Sequence, residues 1–170
     1  HYPLRRQRQM CIRDRLYYTC INSFLTADEL AYILDNSESQ ILITSMSKLE
    51  VAIDAVSQSS KVRKVLVVDA DANELPDGFE DYATTCQSFP ATPIDNERLG
   101  TSMLYSSGTT GRPKGIIRPL PEQPPADALP MYDFLGQLWH YREDMIYLSP
   151  APLYHSAPQA AVNLTIRQGG

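Results

Sequence analysis

From Leu16 onward, apolar and polar positions alternate between a helical and a strand period. Thr26-Ala-Asp-Glu29 has the form of a capping box, and Leu30, Ile33 and Leu34 follow on one helical face, so a helix is predicted that Asn36 and Ser37 close. Gln40 to Thr44 (QILIT) is a short apolar strand. Ser47 and Glu50 suggest a second capping box, opening a helix that carries Val51, Ile53 and Val56. Val62 to Val68 is rich in β-branched residues, and its unbroken half, VLVV, suits a strand covered on both faces. Residues 69–96 read as a loop, and Met103 to Tyr105 as a short strand that runs into a Gly/Ser/Thr-rich turn. Arg118 to Pro130 holds five prolines in thirteen residues, the mark of an extended surface connection. Tyr132 to Tyr141 reads as a helix with Phe134, Leu135, Leu138 and Trp139 inward. Met145 to Leu148 reads as a strand. Ser156 to Arg167 is a further helix, with Pro158 in its first turn and Gly169 just past its end. Such alternation predicts an α/β fold, a largely parallel sheet flanked by helices, cut at both ends.

The 170 residues allow one domain or a large piece of one. At 43% hydrophobic and 21% charged, the composition excludes collagen-like, disordered and disulfide-framework classes. No apolar run approaches the roughly 20 residues of a membrane span. Cys11, Cys20 and Cys86 lie too far apart for the usual zinc spacings, and a reducing, cytoplasmic setting is the default. The net charge is −5, but five of the 15 basic residues crowd into the first fifteen positions. A basic arm, a targeting peptide or a nucleic-acid tail would each carry such charge. A different reading fits the whole run: Arg5 to Arg15, RRQRQMCIRDR, resembles one reading frame of a transposase-type sequencing adapter, so residues 1–15 are set aside as an artefact. Without them, ten basic and 19 acidic residues remain, a net −9 that disfavours nucleic acid as a partner. Residues 16–170 then form the natural segment, entered in mid-domain.

Candidate chemistry concentrates in one place. Asp69, Asp71, Glu74, Asp77, Glu80 and Asp81 match no calcium-loop spacing and read as a solvated surface. Ser106 to Gly111, in contrast, consists only of Ser, Gly and Thr. Small side chains let backbone N–H groups approach an anion, Gly108 and Gly111 permit the turn this needs, and the hydroxyls of Ser106, Ser107, Thr109 and Thr110 add donors. Lys114 adds a mobile positive charge that can follow a phosphate. Pro113 precedes that lysine and Gly115 follows it, so the loop is neither a Walker A motif nor G-x-G-x-x-G.

Ser106-SGTTGRPK-Gly115 resembles the phosphate loop of the acyl-adenylate-forming (AMP-binding) superfamily, most closely that of fatty acyl-CoA synthetases. Ile21 to Thr44 is similar to the stretch upstream of that loop, and Pro150 to Pro158 (PAPLYHSAP) to a downstream motif beside the acyl pocket. The resemblance covers residues 16–170. It implies part of a large N-terminal AMP-binding domain, whose parent protein activates a carboxylic acid with ATP and Mg2+ and transfers the acyl group to coenzyme A. It implies that Ser106, Ser107, Gly108, Thr109, Thr110, Gly111 and Lys114 hold nucleotide phosphates, that Lys114 and His155 act in catalysis, and that Tyr154 and His155 line the acid pocket. Arg112 stands at a variable motif position, and His140, Cys20 and Cys86 read as structural. The magnesium-binding glutamate, the ribose-binding aspartate and the lysine-bearing C-terminal domain of the family have no counterpart in this sequence. The chain as written is therefore expected to be inactive and to leave sheet edges exposed. An aryl-CoA ligase, a peptide-synthetase adenylation domain and a non-catalytic nucleotide-binding module are the alternatives.

Overall fold

The computed structural model describes residues 15–71, 74–92, 95–106 and 111–170. The chain divides into two compact units, one built from residues 22–92 and the other from residues 1–21 and 93–170.

The first unit is a small α/β layer. Helix α1 (Ala27–Asn36) starts at the capping box the sequence announces: Thr26 Oγ1 accepts from Glu29 N, and Glu29 Oε2 accepts from Thr26 N at 2.9 Å. Strands β2 (Ile41–Ser45), β3 (Lys64–Val68) and β4 (Phe79–Asp81) form one parallel sheet with β3 in the middle. The central position accounts for the apolar run of β3, since Val65, Leu66 and Val67 are all buried. Helix α2 (Leu49–Gln58) packs against α1 and buries Ala52 and Ala55. Two expectations are corrected here. The second capping box does not form: a 3₁₀ turn (Met46–Lys48) intervenes, Lys48 occupies the N-cap position, and the Ser47 hydroxyl pairs with the Ser45 hydroxyl. The loop expected over 69–96 contains β4 and helix α3 (Tyr82–Gln87), which Asp81 caps by accepting from Thr84 N at 2.7 Å. Glu80 pairs with Lys64 of β3 at 2.9 Å, so part of the acidic run is structural.

The second unit carries the candidate chemistry. Strand β1 (Tyr17–Tyr18) pairs in parallel with β5 (Thr101–Ser102), and β6 (Leu104–Ser106) pairs antiparallel with β7 (Lys114–Ile116). Helices α4 (Pro130–Leu138) and α5 (Ser156–Arg167) follow. The expected bounds of α5 hold, with Pro158 in the first turn, Gln168 as C-cap and Gly169 at φ +86°. The inward face expected for α4 does not form. Gly136 is the buried residue and approaches Leu164 of α5 and the C-cap residue Gln168, whereas Phe134, Leu138 and Trp139 are 60, 56 and 55% exposed. Residues 145–148 form no strand: no described strand pairs with them, Met145 N donates only to Arg142 O in a turn, and Ile146 is 98% exposed. Between β7 and α4 the proline-rich stretch has neither helix nor strand, as expected. It is nonetheless anchored: Leu99 N donates to Gln123 O, and the Arg167 guanidinium donates to the carbonyls of Pro125 and Asp127 at 3.0 Å each. No described helix is long and apolar enough to cross a membrane.

Candidate phosphate loop and acid site

The β6–β7 hairpin positions the ends of the Gly/Ser/Thr loop. Its register sets Leu104 opposite Ile116, Tyr105 opposite Gly115 and Ser106 opposite Lys114. Ser106 and Lys114 are therefore the last cross-strand pair before the loop, and both are exposed. Side chains of such a directly opposed pair sit within about 5.5 Å at Cβ. One hydroxyl and one ammonium thus flank the mouth of the turn. Gly111 is described at φ +90°, the left-handed region that a Cβ disfavours, and here it lets the loop return towards β7. Ser107, Gly108, Thr109 and Thr110 lie outside the described residues.

Two tyrosines, to which the sequence reading assigned no role, hold this hairpin in place. Tyr18 O accepts from Met103 N at 3.0 Å, just before β6, and Tyr17 Oη donates to Arg118 O at 2.6 Å, just after β7. Strand β1 thus grips both legs of the hairpin. The same strand reaches α5, since Asn163 Nδ2 donates to Tyr18 Oη at 2.7 Å. Burial raises the Tyr18 phenol above its ordinary value, against the opposing pull of the Asn163 hydrogen bond. The only sequence signal for this role was a pair of adjacent aromatic residues. Two residues are too few to show a strand period.

Helix α5 presents the second group. His155 occupies its N-cap position with extended backbone and makes no side-chain cap; its carbonyl accepts from Gln159 N at 3.3 Å. The imidazole is exposed and lies against the Tyr154 ring, centroids 4.3 Å apart. The motif pair therefore stands together at the head of α5, as the hairpin pair stands together at the mouth of the loop. His140 lies beyond the end of α4 at φ +55°. With Asp133, Gly136, Gln137, Tyr141 and Gln168 it lines an open cleft of about 560 Å³ that includes none of the predicted site residues. Cys20 and Cys86 are free thiols, half-buried. Among the described residues no group of three His, Cys, Asp or Glu side chains could hold a metal ion.

The chain is similar to known proteins. The chain is 31% identical over 144 residues to a 4-hydroxybenzoate–CoA/benzoate–CoA ligase of Rhodopseudomonas palustris, covering 84% of this chain and 25% of that protein. It is 29% identical over 147 residues to a crotonobetaine/carnitine–CoA ligase of Escherichia coli, covering 79% of this chain and 26% of that protein. The chain thus spans about a quarter of the length of these relatives. Among solved structures, the anthranilate CoA ligase AuaEII in complex with anthranoyl-AMP superposes with a TM-score of 0.67 at 22% identity, over 89% of this chain and 29% of that one. ATP-bound MatB from Rhodopseudomonas palustris gives 0.59 at 24% identity, over 91% and 29%. The fold is that of part of the N-terminal domain of adenylate-forming enzymes. The family model for AMP-binding enzymes matches residues 11–170, and the chain belongs to that family.

Proposed function

We propose that this chain supplies the phosphate loop and part of the acid pocket of an AMP-forming acid–thiol ligase acting on an aliphatic, fatty-type acid. The observation that carries the reading is the Ser106–Lys114 pair closing a loop of Ser, Gly and Thr. In this reading the acid's carboxylate oxygen attacks the α-phosphorus of ATP. The bond to the bridging oxygen breaks, and acyl-AMP and pyrophosphate form. The thiolate of coenzyme A then displaces AMP from the acyl carbon. Ser106, Ser107, Gly108, Thr109, Thr110 and Gly111 surround the β- and γ-phosphates, and Lys114 offsets the negative charge that grows on the leaving pyrophosphate. His155 stands by the reacting carboxylate, and Tyr154 lines the acid pocket. Magnesium would neutralise phosphate charge when bound. The family resemblance assigns its ligands to segments other than residues 16–170. Gly115-Ile-Ile-Arg-Pro-Leu-Pro favours an aliphatic acid, and the sparse cysteines favour a cytoplasmic setting.

Nucleotide binding tests the reading directly. Titration of residues 16–170 with ATP should give saturable binding that Lys114→Ala weakens about tenfold or more, with unfolding unchanged because Lys114 is exposed. Equal affinity in the two proteins would remove the phosphate role. The complete ligase should catalyse ATP–pyrophosphate exchange dependent on an acid, whereas the 170-residue chain should not. Exchange by the short chain would show that the expected inactivity is wrong.

A further inference from the structure

Strand β1 has two residues, and consecutive side chains of a strand leave by opposite faces. Tyr17 Oη reaches the leg after β7, where it donates to Arg118 O, and Tyr18 Oη reaches helix α5, where it accepts from Asn163 Nδ2 at 2.7 Å. The main chain of Tyr18 meanwhile holds the leg before β6, through Met103 N. One residue thus ties the phosphate-loop hairpin to the helix headed by His155. Tyr18 and Asn163 are both half-buried, where a hydrogen bond is stronger than in open water. The head of α5 has no comparable support of its own: His155 makes no side-chain cap and is exposed. Asn163 lies eight residues below His155, about 12 Å along the helix, and Arg167 anchors the far end to the Pro125 and Asp127 carbonyls. Releasing Asn163 leaves the Arg167 anchor one turn further from the head, so a small tilt there becomes a larger displacement of Tyr154 and His155.

We propose that Tyr18 is a positioning residue for adenylation: through its bonds to Met103 and Asn163 it sets the phosphate loop relative to the acid carboxylate beside His155. The assignment rests on the ligase reading above and adds to it a residue that touches neither ATP nor the acid. Attack on the α-phosphorus needs the two groups in line, and a misplacement of about 1 Å can cost on the order of a hundredfold in rate. Transfer of the acyl group to coenzyme A follows the departure of pyrophosphate. It draws on the acid site but no longer on the phosphate loop, so the two steps should respond differently to loss of the tie.

The test uses the complete ligase carrying residues 16–170, offered acetate, octanoate and benzoate. With the acid turned over fastest, ATP–pyrophosphate exchange is measured, and thioester formation from the matching acyl-AMP and coenzyme A is measured separately. Tyr18→Phe and Asn163→Leu should each lower kcat for exchange about tenfold or more, with KM for ATP and for the acid changed by less than about twofold. Thioester formation from added acyl-AMP should stay within about twofold of the wild type. The double variant should exchange no faster than either single one, although it regains part of the stability they lose. Exchange that recovers together with stability in the double variant would overturn the proposal, as would both steps slowed alike or exchange unchanged in the single variants. Each of these outcomes leaves the ligase reading standing, whereas a wild type without exchange on any acid would remove both. Should a single variant not fold, the double variant, which strands neither partner of the pair, still decides the matter by its ratio of the two rates.

Discussion

Gly115 lies directly opposite Tyr105 in the β6–β7 register, and the Tyr105 ring occupies the space a side chain at Gly115 would need. A Cβ there would come within 3.1 Å of the Tyr105 ring and would collide with Met103 Cε. Met103 is buried, and its flexible terminal methyl must shift to make room. Gly115→Ala should therefore destabilise the hairpin by about 1–2 kcal/mol. It should also weaken ATP binding, although residue 115 offers no group to the phosphates. Denaturant midpoints and an ATP titration on the same protein would check both effects; an unchanged midpoint would mean that Met103 and Tyr105 move aside freely.

Acid should loosen the 22–92 unit first. The Glu80 carboxylate lies below its usual range because Lys64 and Thr85 donate to it, Asp81 because Thr84 N–H and hydroxyl groups face it, and Glu29 because Thr26 donates to it. Each pKa is depressed in the folded state. Each contribution is therefore present above the unfolded value, near 4.5 for Glu and 3.8 for Asp, and is lost as pH falls through the folded one. Thermal scans from pH 7 downwards should show Tm falling below about pH 5. Glu80→Gln with Asp81→Asn should flatten that fall.

Base acts on the other unit through Tyr18. Its raised pKa means a contribution that is full below the ordinary value of 10.0 and is lost as pH rises through the folded value. Tyr18→Phe should abolish this alkaline loss of stability. At neutral pH the same change strands the Asn163 Nδ2 donor and should cost about 1–3 kcal/mol. A double variant with Asn163→Leu should recover part of that loss, since removing both partners is less harmful than removing one.

Arg167 joins the end of α5 to the proline-rich strap through two carbonyls, a fork that lysine cannot reproduce. Arg167→Lys should speed amide hydrogen exchange in residues 122–129 and leave α1 and α2 unaffected. Hydrogen-exchange mass spectrometry would read both segments in one experiment. Unchanged exchange in the strap would show that Leu99 and Arg98, which bond to Gln123 and Glu122, suffice to hold it.

Local signals proved legible, and long-range ones did not. The Thr26–Glu29 box and the Pro158 and Gly169 punctuation of α5 are written within a few residues, and the structure follows them. Strand β4 has three residues and no alternation, and it exists through its pairing with β3, so a single-sequence pattern cannot show it. Asp81 was a usable cap signal for α3, obscured by the surrounding acidic run. Residues 145–148 fail in the opposite sense: an apolar run is strand-like only where a neighbour takes its hydrogen bonds. At the candidate site, the sequence identified the residue types at Ser106, Lys114 and His155. The opposition of Ser106 to Lys114 and the grip of the two tyrosines required three dimensions.

The uncovered tryptophan at the C-cap of α4 has a practical consequence. Trp139 is the sole tryptophan of the chain, and it is more than half exposed. Its fluorescence therefore comes from one known spot, beside Leu138 and one turn from Phe134. Emission from the 170-residue chain should lie near that of indole in water and be readily quenched by iodide. Any protein segment or companion molecule that settles on this helix will shift the band to shorter wavelength, so the chain carries its own optical gauge of whether that face has found a cover.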